Sequence, residues 1–323
     1  MSGIDVVITW VDGGDPAHAA KRAAYGTADI HNALDKAAST RFSSLGEICW
    51  CVASINRFAP WVDRIFIVTD EQDPRLDGFM KTNFPEGYIP MEIVDHKVIF
   101  RGYEEYLPTF NSISIESMTW RIPGLSDRFI EFNDDLMLLK PVSPEDFFTD
   151  DGKVICHAGR SLIWWDRFTR LFKSSKGGSK KVTTKGSHMN GAVQAGHRMW
   201  YLRLAHCQKA LRRDFYEKYY TAHPDVLRKN ISFRFRDAEQ FTSQSLQCVS
   251  LYDEGRCELR SSRNELFFLQ PKKRKGYFAD KMRLLDAFEG RFACFNSIDM
   301  ASEEERHMLE EWIMNRLDIK LDR

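Results

Sequence analysis

Residues 128–139 read RFIEFNDDLMLL. An apolar run, FIEF, delivers Asn133-Asp134-Asp135, and a second, LMLL, follows at once. A strand that ends in adjacent carboxylates concentrates negative charge where strand C-termini open into the cleft that open α/β sheets use for ligands. Two carboxylates held this close are costly unless a cation or a donor neutralises them. Hard oxygen ligands suit Mg²⁺ or Mn²⁺ bridging a diphosphate. An isolated NDD is better read as an Asx-type turn with two solvated acids; the rest of the chain is what favours a site.

Working outward, residues 4–11 (IDVVITWV) read as a buried first strand, with Asp12-Gly13-Gly14-Asp15-Pro16 as its turn. Residues 17–38 are Ala-rich and predict a helix, and residues 47–58 carry apolar side chains at helical spacing until Ala59-Pro60 stops them. Residues 64–70 and 91–95 predict the second and third strands, residues 111–120 a helix, and residues 128–139 the fourth strand. Strands alternating with helices predict an α/β fold with a mainly parallel, Rossmann-like sheet flanked by helices. Three of these strands end in acids, at Asp12, Asp70 and Asp134/Asp135. Parallel pairing would gather those ends on one edge.

The second half differs in texture. Residues 173–186 (KSSKGGSKKVTTKG) predict a flexible surface loop, with a lid over phosphates as the functional alternative. Residues 200–220 read as an aromatic- and Arg-rich helical stretch. Residues 231–236 (ISFRFR) read as a strand with Arg234 and Arg236 on one face and Phe233 and Phe235 on the other. Residues 271–275 (PKKRK) read as a short basic, solvated turn, with a contact to membrane lipid or an anionic acceptor as the alternative. Residues 302–317 open with Ser302 and Glu305 at capping-box spacing and place Met308, Leu309, Trp312, Ile313 and Leu317 on one face. The expected organisation is a nucleotide-sugar-binding core over residues 1–150, completed over residues 151–323 by a helical region and the basic loop.

With 323 residues and 43% hydrophobic composition the chain can bury a substantial core. Lys+Arg and Asp+Glu both number 46, so net charge gives no argument for nucleic acid, and the short lysine-rich runs do not supply one. Seven scattered cysteines, with CxC but no CxxC, fit reduced structural thiols in a cytosolic protein. No window predicts a transmembrane span or a signal peptide, so the expectation is a soluble, cytoplasmic protein with at most a peripheral membrane role.

Several segments resemble the Stealth family: DVVITWVDGGDP (residues 5–16), RFSSLGEICWCVASINRFAPWVDRIFIVTDEQDP (41–74) and YLPTFNSISIESMTWRIPGLSDRFIEFNDDLMLLKPVSPEDFF (106–148) look like its first two blocks. LAHCQKALRRDF (204–215) through NISFRFRDAEQFT (230–242) is similar to the third block, and RFACFNS (291–297) to the short fourth. Stealth proteins are bacterial capsular and exopolysaccharide sugar-1-phosphate transferases and include the catalytic part of the lysosomal-enzyme N-acetylglucosamine-1-phosphotransferase. The chain departs from the pattern at Ser297, where the family has aspartate, at Ala53, where it often has arginine, and at Cys207, where proline often follows the histidine.

The resemblance implies a nucleotide-sugar (GT-A-like) fold and transfer of a sugar 1-phosphate from a UDP-sugar to a hydroxyl of a saccharide acceptor. The products are a phosphodiester and UMP. Such a reaction needs metal neutralisation of the diphosphate, cationic donors around the transferring group, a base for the hydroxyl and a nucleotide pocket. Asp135, with Asp134, is assigned the Mg²⁺ or Mn²⁺. Trp10, Asp12 and Gly13 are the expected nucleotide pocket, against the alternative of an ordinary tight turn. Arg41 and Glu47 fall where the resemblance places polar site residues, with a surface ion pair as the alternative. His206 is the expected general base, its ordinary pKa suiting proton removal near neutrality. Arg236, with Arg234, would steady the phosphoryl charge. Asn111, Glu116 and Asn296 would contact sugar, acceptor or donor. Capsule assembly at the inner face of the cytoplasmic membrane is the implied setting. Two other readings share these residues: a metal-dependent glycosyltransferase releasing UDP, and a non-catalytic nucleotide-sugar-binding protein.

Overall fold

In the computed structural model, described for residues 3–26, 46–166, 168, 182–272, 274 and 276–321, the chain is α/β, as its alternation of strands and helices predicts. Its strands are β1 (Ile4–Thr9), β2 (Ile65–Thr69), β3 (Met91–Asp95), β4 (Arg128–Asn133), β5 (Leu136–Leu138), β6 (Val154–Leu162), β7 (Trp200–Leu204), β8 (Lys209–Arg212), β9 (Cys257–Arg260), β10 (Leu266–Leu269) and β11 (Phe292–Phe295). Five pair in the order β3-β2-β1-β4-β8, with β2 and β3 parallel and β8 an antiparallel edge on β4. Two three-stranded sheets, β10-β11-β5 and β7-β6-β9, each combine one parallel and one antiparallel ladder.

The chain divides into two compact units, each assembled from three segments. One comprises residues 8–95, 132–143 and 263–323. β2 is buried along its whole length because its sequence, IFIVT, has no polar face to give to water. Its core gathers Trp50 and Ala53 of the helix Glu47–Phe58, Met137 of β5, Leu269 of β10 and Phe295 of β11 around Leu309, Ile313 and Leu317 of the helix Glu303–Leu317. Each such aliphatic side chain contributes about 1.5–3 kcal/mol by leaving water. The Glu303–Leu317 helix starts where the spacing predicts, with Ser302 and Glu305 forming a reciprocal capping box.

The other unit comprises residues 1–7, 96–131 and 144–262. In it the helices Thr184–Gln194 and Ser243–Asp253 pack so closely that a Cβ on Gly191 would stand 1.9 Å from Ser245 Oγ. Residues 200–220 are not one helix here: β7 and β8 precede the helix Arg213–Ala222. Tyr201 and Leu202 are fully buried in β7, which pairs with β6. Aromatic residues that find a sheet partner outrank helical spacing. Residues 231–236 are not a strand either. Ile231 ends the helix Pro224–Ile231, and the following loop accepts a backbone bond from Phe110 N at the Arg234 carbonyl (2.8 Å), with Phe235 stacked on Phe110. The helix expected over 111–120 shortens to Ser112–Glu116 plus a 3₁₀ turn, Thr119–Arg121. Residues 27–38, 41 and 173–181 lie outside the described residues; Gly186 sits within the helix Thr184–Gln194 rather than in a loop.

Candidate active site

Asn133 closes β4, Asp134 and Asp135 form the turn, and Leu136 opens β5. Antiparallel pairing of β5 with β11 sets Leu136 opposite Cys294, and Phe295 N bonds the Asp135 carbonyl at 2.9 Å. That register carries Asn296 to the carboxylate: its Nδ2 donates to Asp135 Oδ2 at 3.0 Å, and the Cys294 thiol donates to the same oxygen at 3.5 Å. Gln270 Nε2 and Ser297 Oγ both donate to Asn296 Oδ1, each at 2.9 Å. Two donors on one oxygen fix which end of the amide faces Asp135.

Glu47 begins the helix Glu47–Phe58 behind Gly46, whose left-handed φ of 93° is open to glycine at no steric cost. The helix dipole favours a carboxylate at that end. Glu47 is buried, and with Asp134 and Asp135 it lines a small recess whose walls include Trp50, Cys51, Met137 and Phe295. Burial, and then the charges of Asp135 and Glu47, push the Asp134 carboxyl well above its ordinary range. The same surroundings hold the Cys51 thiol protonated, through burial first and then Asp134 and Asp135, and burial with Glu47 pushes Cys49 up to about 11. Neither thiol is prepared to act as a nucleophile. Three carboxyl groups make a hard oxygen donor set, which fits Mg²⁺ or Mn²⁺.

At the end of β1, in the same unit, Trp10 is 8% exposed, and its indole N–H has no hydrogen-bond partner among the described residues. Asp12 is tied into its own turn: its Oδ1 accepts from Gly14 N at 2.8 Å, while Gln72 accepts from Asp12 N (2.9 Å) and donates to its carbonyl (2.8 Å). Gly13 lies within that turn. Asp70 is ion-paired with Lys21 of the helix Pro16–Tyr25 at 3.0 Å.

Five further expected residues belong to the other unit. Asn111 is fully buried and caps the helix Ser112–Glu116; its Nδ2 donates to the Phe233 carbonyl (2.9 Å) and to Gln240 Oε1 (2.8 Å). Glu116 accepts from Gln244 Nε2 at 2.9 Å, and the same amide nitrogen reaches Glu131. Glu131, 3% exposed inside β4, is pushed up to about 8 by burial and then by Glu116. Arg234 grips the Pro108 and Glu105 carbonyls (2.7 and 3.3 Å), and Arg236 donates to Ser112 Oγ at 2.5 Å. His206 is exposed in the turn between β7 and β8.

Thus Glu47, Asp134, Asp135 and Asn296 come together in one unit, which also holds Trp10, Asp12 and Gly13; Asn111, Glu116, His206, Arg234 and Arg236 lie in the other. Arg41 falls outside the described residues. Sequence reasoning missed Trp50, one turn beyond Glu47 on the same helix, and Gln270, which orients Asn296 through tertiary structure alone. It also missed Glu131, whose signal was a lone acid inside the buried run FIEF.

Comparison with known proteins matches residues 3–29 to conserved region 1 of Stealth proteins and residues 41–155 to conserved region 2. An exopolysaccharide phosphotransferase of Streptomyces coelicolor is 42% identical over 160 residues, covering 50% of this chain and 28% of that protein. A second from the same organism is 33% identical over 254 residues, 78% of this chain and 40% of that protein. The receptor polysaccharide phosphotransferase WefC of Streptococcus oralis is 40% identical over 152 residues, 47% of this chain and 43% of that protein. The matches thus span less than half the length of each of these relatives. Among solved structures, an active-site mutant of LgtC aligns at 10% identity over 99% of this chain and 97% of its own, with a TM-score of 0.46. Mouse xyloside xylosyltransferase 1 aligns at 10% identity over 91% and 98%, with a TM-score of 0.41.

Proposed function

From its membership of the Stealth proteins, whose conserved regions 1 and 2 it carries, we propose that this chain transfers a sugar 1-phosphate from a UDP-sugar to a hydroxyl of a saccharide acceptor, forming a phosphodiester and releasing UMP, in capsular or exopolysaccharide synthesis. The observation that carries the reading is the cluster of Glu47, Asp134 and Asp135 within conserved region 2, acids that oppose one another unless a cation joins them.

Asp135, with Asp134, would hold Mg²⁺ or Mn²⁺, and Glu47 adds a third carboxylate to the same recess. The bound ion would supply positive charge against the donor's diphosphate. Asn296 keeps the Asp135 carboxylate in one orientation through its 3.0 Å bond. The Trp10–Gly13 turn would receive the nucleotide, with the buried Trp10 N–H as an available donor. An imidazole nitrogen of His206 would take the proton from the acceptor hydroxyl, and the Arg236 guanidinium would bind oxygens of the transferring phosphoryl group. Attack falls on phosphorus, so the sugar's anomeric configuration is retained.

Incubation with a panel of UDP-sugars, Mg²⁺ and saccharide acceptors, read by mass spectrometry, tests the proposal. UMP with a phosphodiester product is expected. UDP with a glycoside would make the protein a glycosyltransferase, and no turnover with any acceptor would leave a binding protein.

A further inference from the structure

Strand β6 ends in a cluster of apolar side chains that the fold leaves in water. Trp164, Trp165 and Phe168 are 56%, 53% and 48% exposed, Leu162 is 46% exposed and Met199 is 70% exposed. They belong to one place: Leu162 pairs with Trp200 across the β6–β7 ladder, Ile163 N bonds the Met199 carbonyl at 2.9 Å, and Trp165 stacks on Phe168 at 6.2 Å. Burying such groups on folding would have been favourable, so a chain that exposes them together sets them aside for a partner.

Arginines lie among and beside them. Arg160, Arg198 and Arg203 are all exposed, Arg160 lying 4.5 Å over the Trp200 ring. Of the nearby acids, Asp166 is bound by Lys185, and Asp253 shares a 2.5 Å hydrogen bond with His197.

We propose that this end of the β6–β7 ladder docks on an anionic lipid bilayer. Tryptophan combines an apolar body with a polar N–H and settles at the headgroup level, leucine, methionine and phenylalanine enter the acyl boundary, and arginines are drawn to acidic headgroups. A sugar would want a flat aromatic platform. The two indoles instead meet edge to face at 84°, and protruding leucine and methionine offer a sugar nothing to stack on. The surface lies apart from the recess of Glu47, Asp134 and Asp135 in the sequence and does not depend on the proposed chemistry.

The test is co-sedimentation of the full chain with vesicles of phosphatidylcholine alone or mixed with phosphatidylglycerol. Binding to the mixed vesicles is expected, falling with salt and weakened about tenfold or more in Trp164→Ala/Trp165→Ala and in Arg198→Gln/Arg203→Gln. Met199→Ser, at a side chain that supports little of the core, repeats the apolar arm should the tryptophan pair disturb folding. Absence of binding by the unaltered protein, equal binding to neutral vesicles, or full binding by all three variants would each overturn the proposal. So would a dimer that these variants dissolve in a protein that ignores vesicles, which would make the patch an interface between copies. UMP release by the unaltered protein in detergent-free buffer reads out the proposed reaction separately.

Discussion

Asn296 donates to Asp135 Oδ2 at 3.0 Å, in an orientation that Gln270 and Ser297 impose by donating to its other end. An amide held in this way positions a carboxylate without adding charge. Asn296→Ala should lower Mg²⁺ affinity and UMP release by about 10–100-fold with the fold intact. Titrating activity against Mg²⁺ at fixed donor checks it: a metal-saturation curve that does not move removes Asn296 from the positioning role.

Asp135→Asn should abolish metal-dependent UMP release while leaving the melting temperature near that of the unaltered protein. Losing one of three mutually repelling acids does not harm the fold. Single-turnover assays with and without Mg²⁺ give the answer, and near-normal rates would take Asp135 out of the metal's ligand set.

His206 is exposed in its turn, so His206→Ala should be tolerated structurally. Donor affinity should stay within about twofold while turnover falls by about 10²–10⁴, the usual scale of general-base catalysis. Isothermal titration with the UDP-sugar, alongside kcat, separates the two, and full activity would retire the assignment.

Glu131 titrates near 8 in the folded chain, chiefly through burial and Glu116, and close to 4.5 when unfolded. Between those values the unfolded state has already lost the proton that the folded state keeps. Stability should therefore fall as pH rises from about 4.5 to 8 and level off above. Glu131→Gln removes this titration and keeps a partner for Gln244. It should raise stability at pH 8 by at least about 1 kcal/mol and flatten that part of the profile, measured by urea denaturation across pH.

Gly191 faces Ser245 Oγ at a distance that no Cβ can occupy, with Leu246 N at 3.1 Å behind it. Gly191→Ala should cost about 1–3 kcal/mol by overpacking, despite alanine's better helix propensity. Ser245→Gly added to it should recover part of the loss, which thermal melts of the three variants will show.

Much of this fold is legible in the sequence where local signals and burial agree. The helix Glu47–Phe58 and strand β3 occur with the ends that spacing and stop signals predict, and the capping box at Ser302 is present. Residues 200–204 mislead because a run rich in aromatics suits either periodicity until its pairing partner is known. Residues 231–236 mislead for the opposite reason: ISFRFR alternates like a strand, but Arg234 is spent on the carbonyls of residues 105–108. At the site, the acidic turn stands out because adjacent carboxylates after an apolar run are costly. Gln270 and Trp50 do not, since an amide and an indole carry no signal until β5, β10 and β11 come together.

Each compact unit draws on three stretches of chain, so the polypeptide changes allegiance at residues 7/8, 95/96, 131/132, 143/144 and 262/263. No contiguous fragment consists of either unit alone. An expression boundary, a protease nick or a recombination event falling at almost any interior position therefore deprives at least one unit of strands it needs. For this chain, cutting out the most recognisable stretch to study it alone would yield a piece without its core.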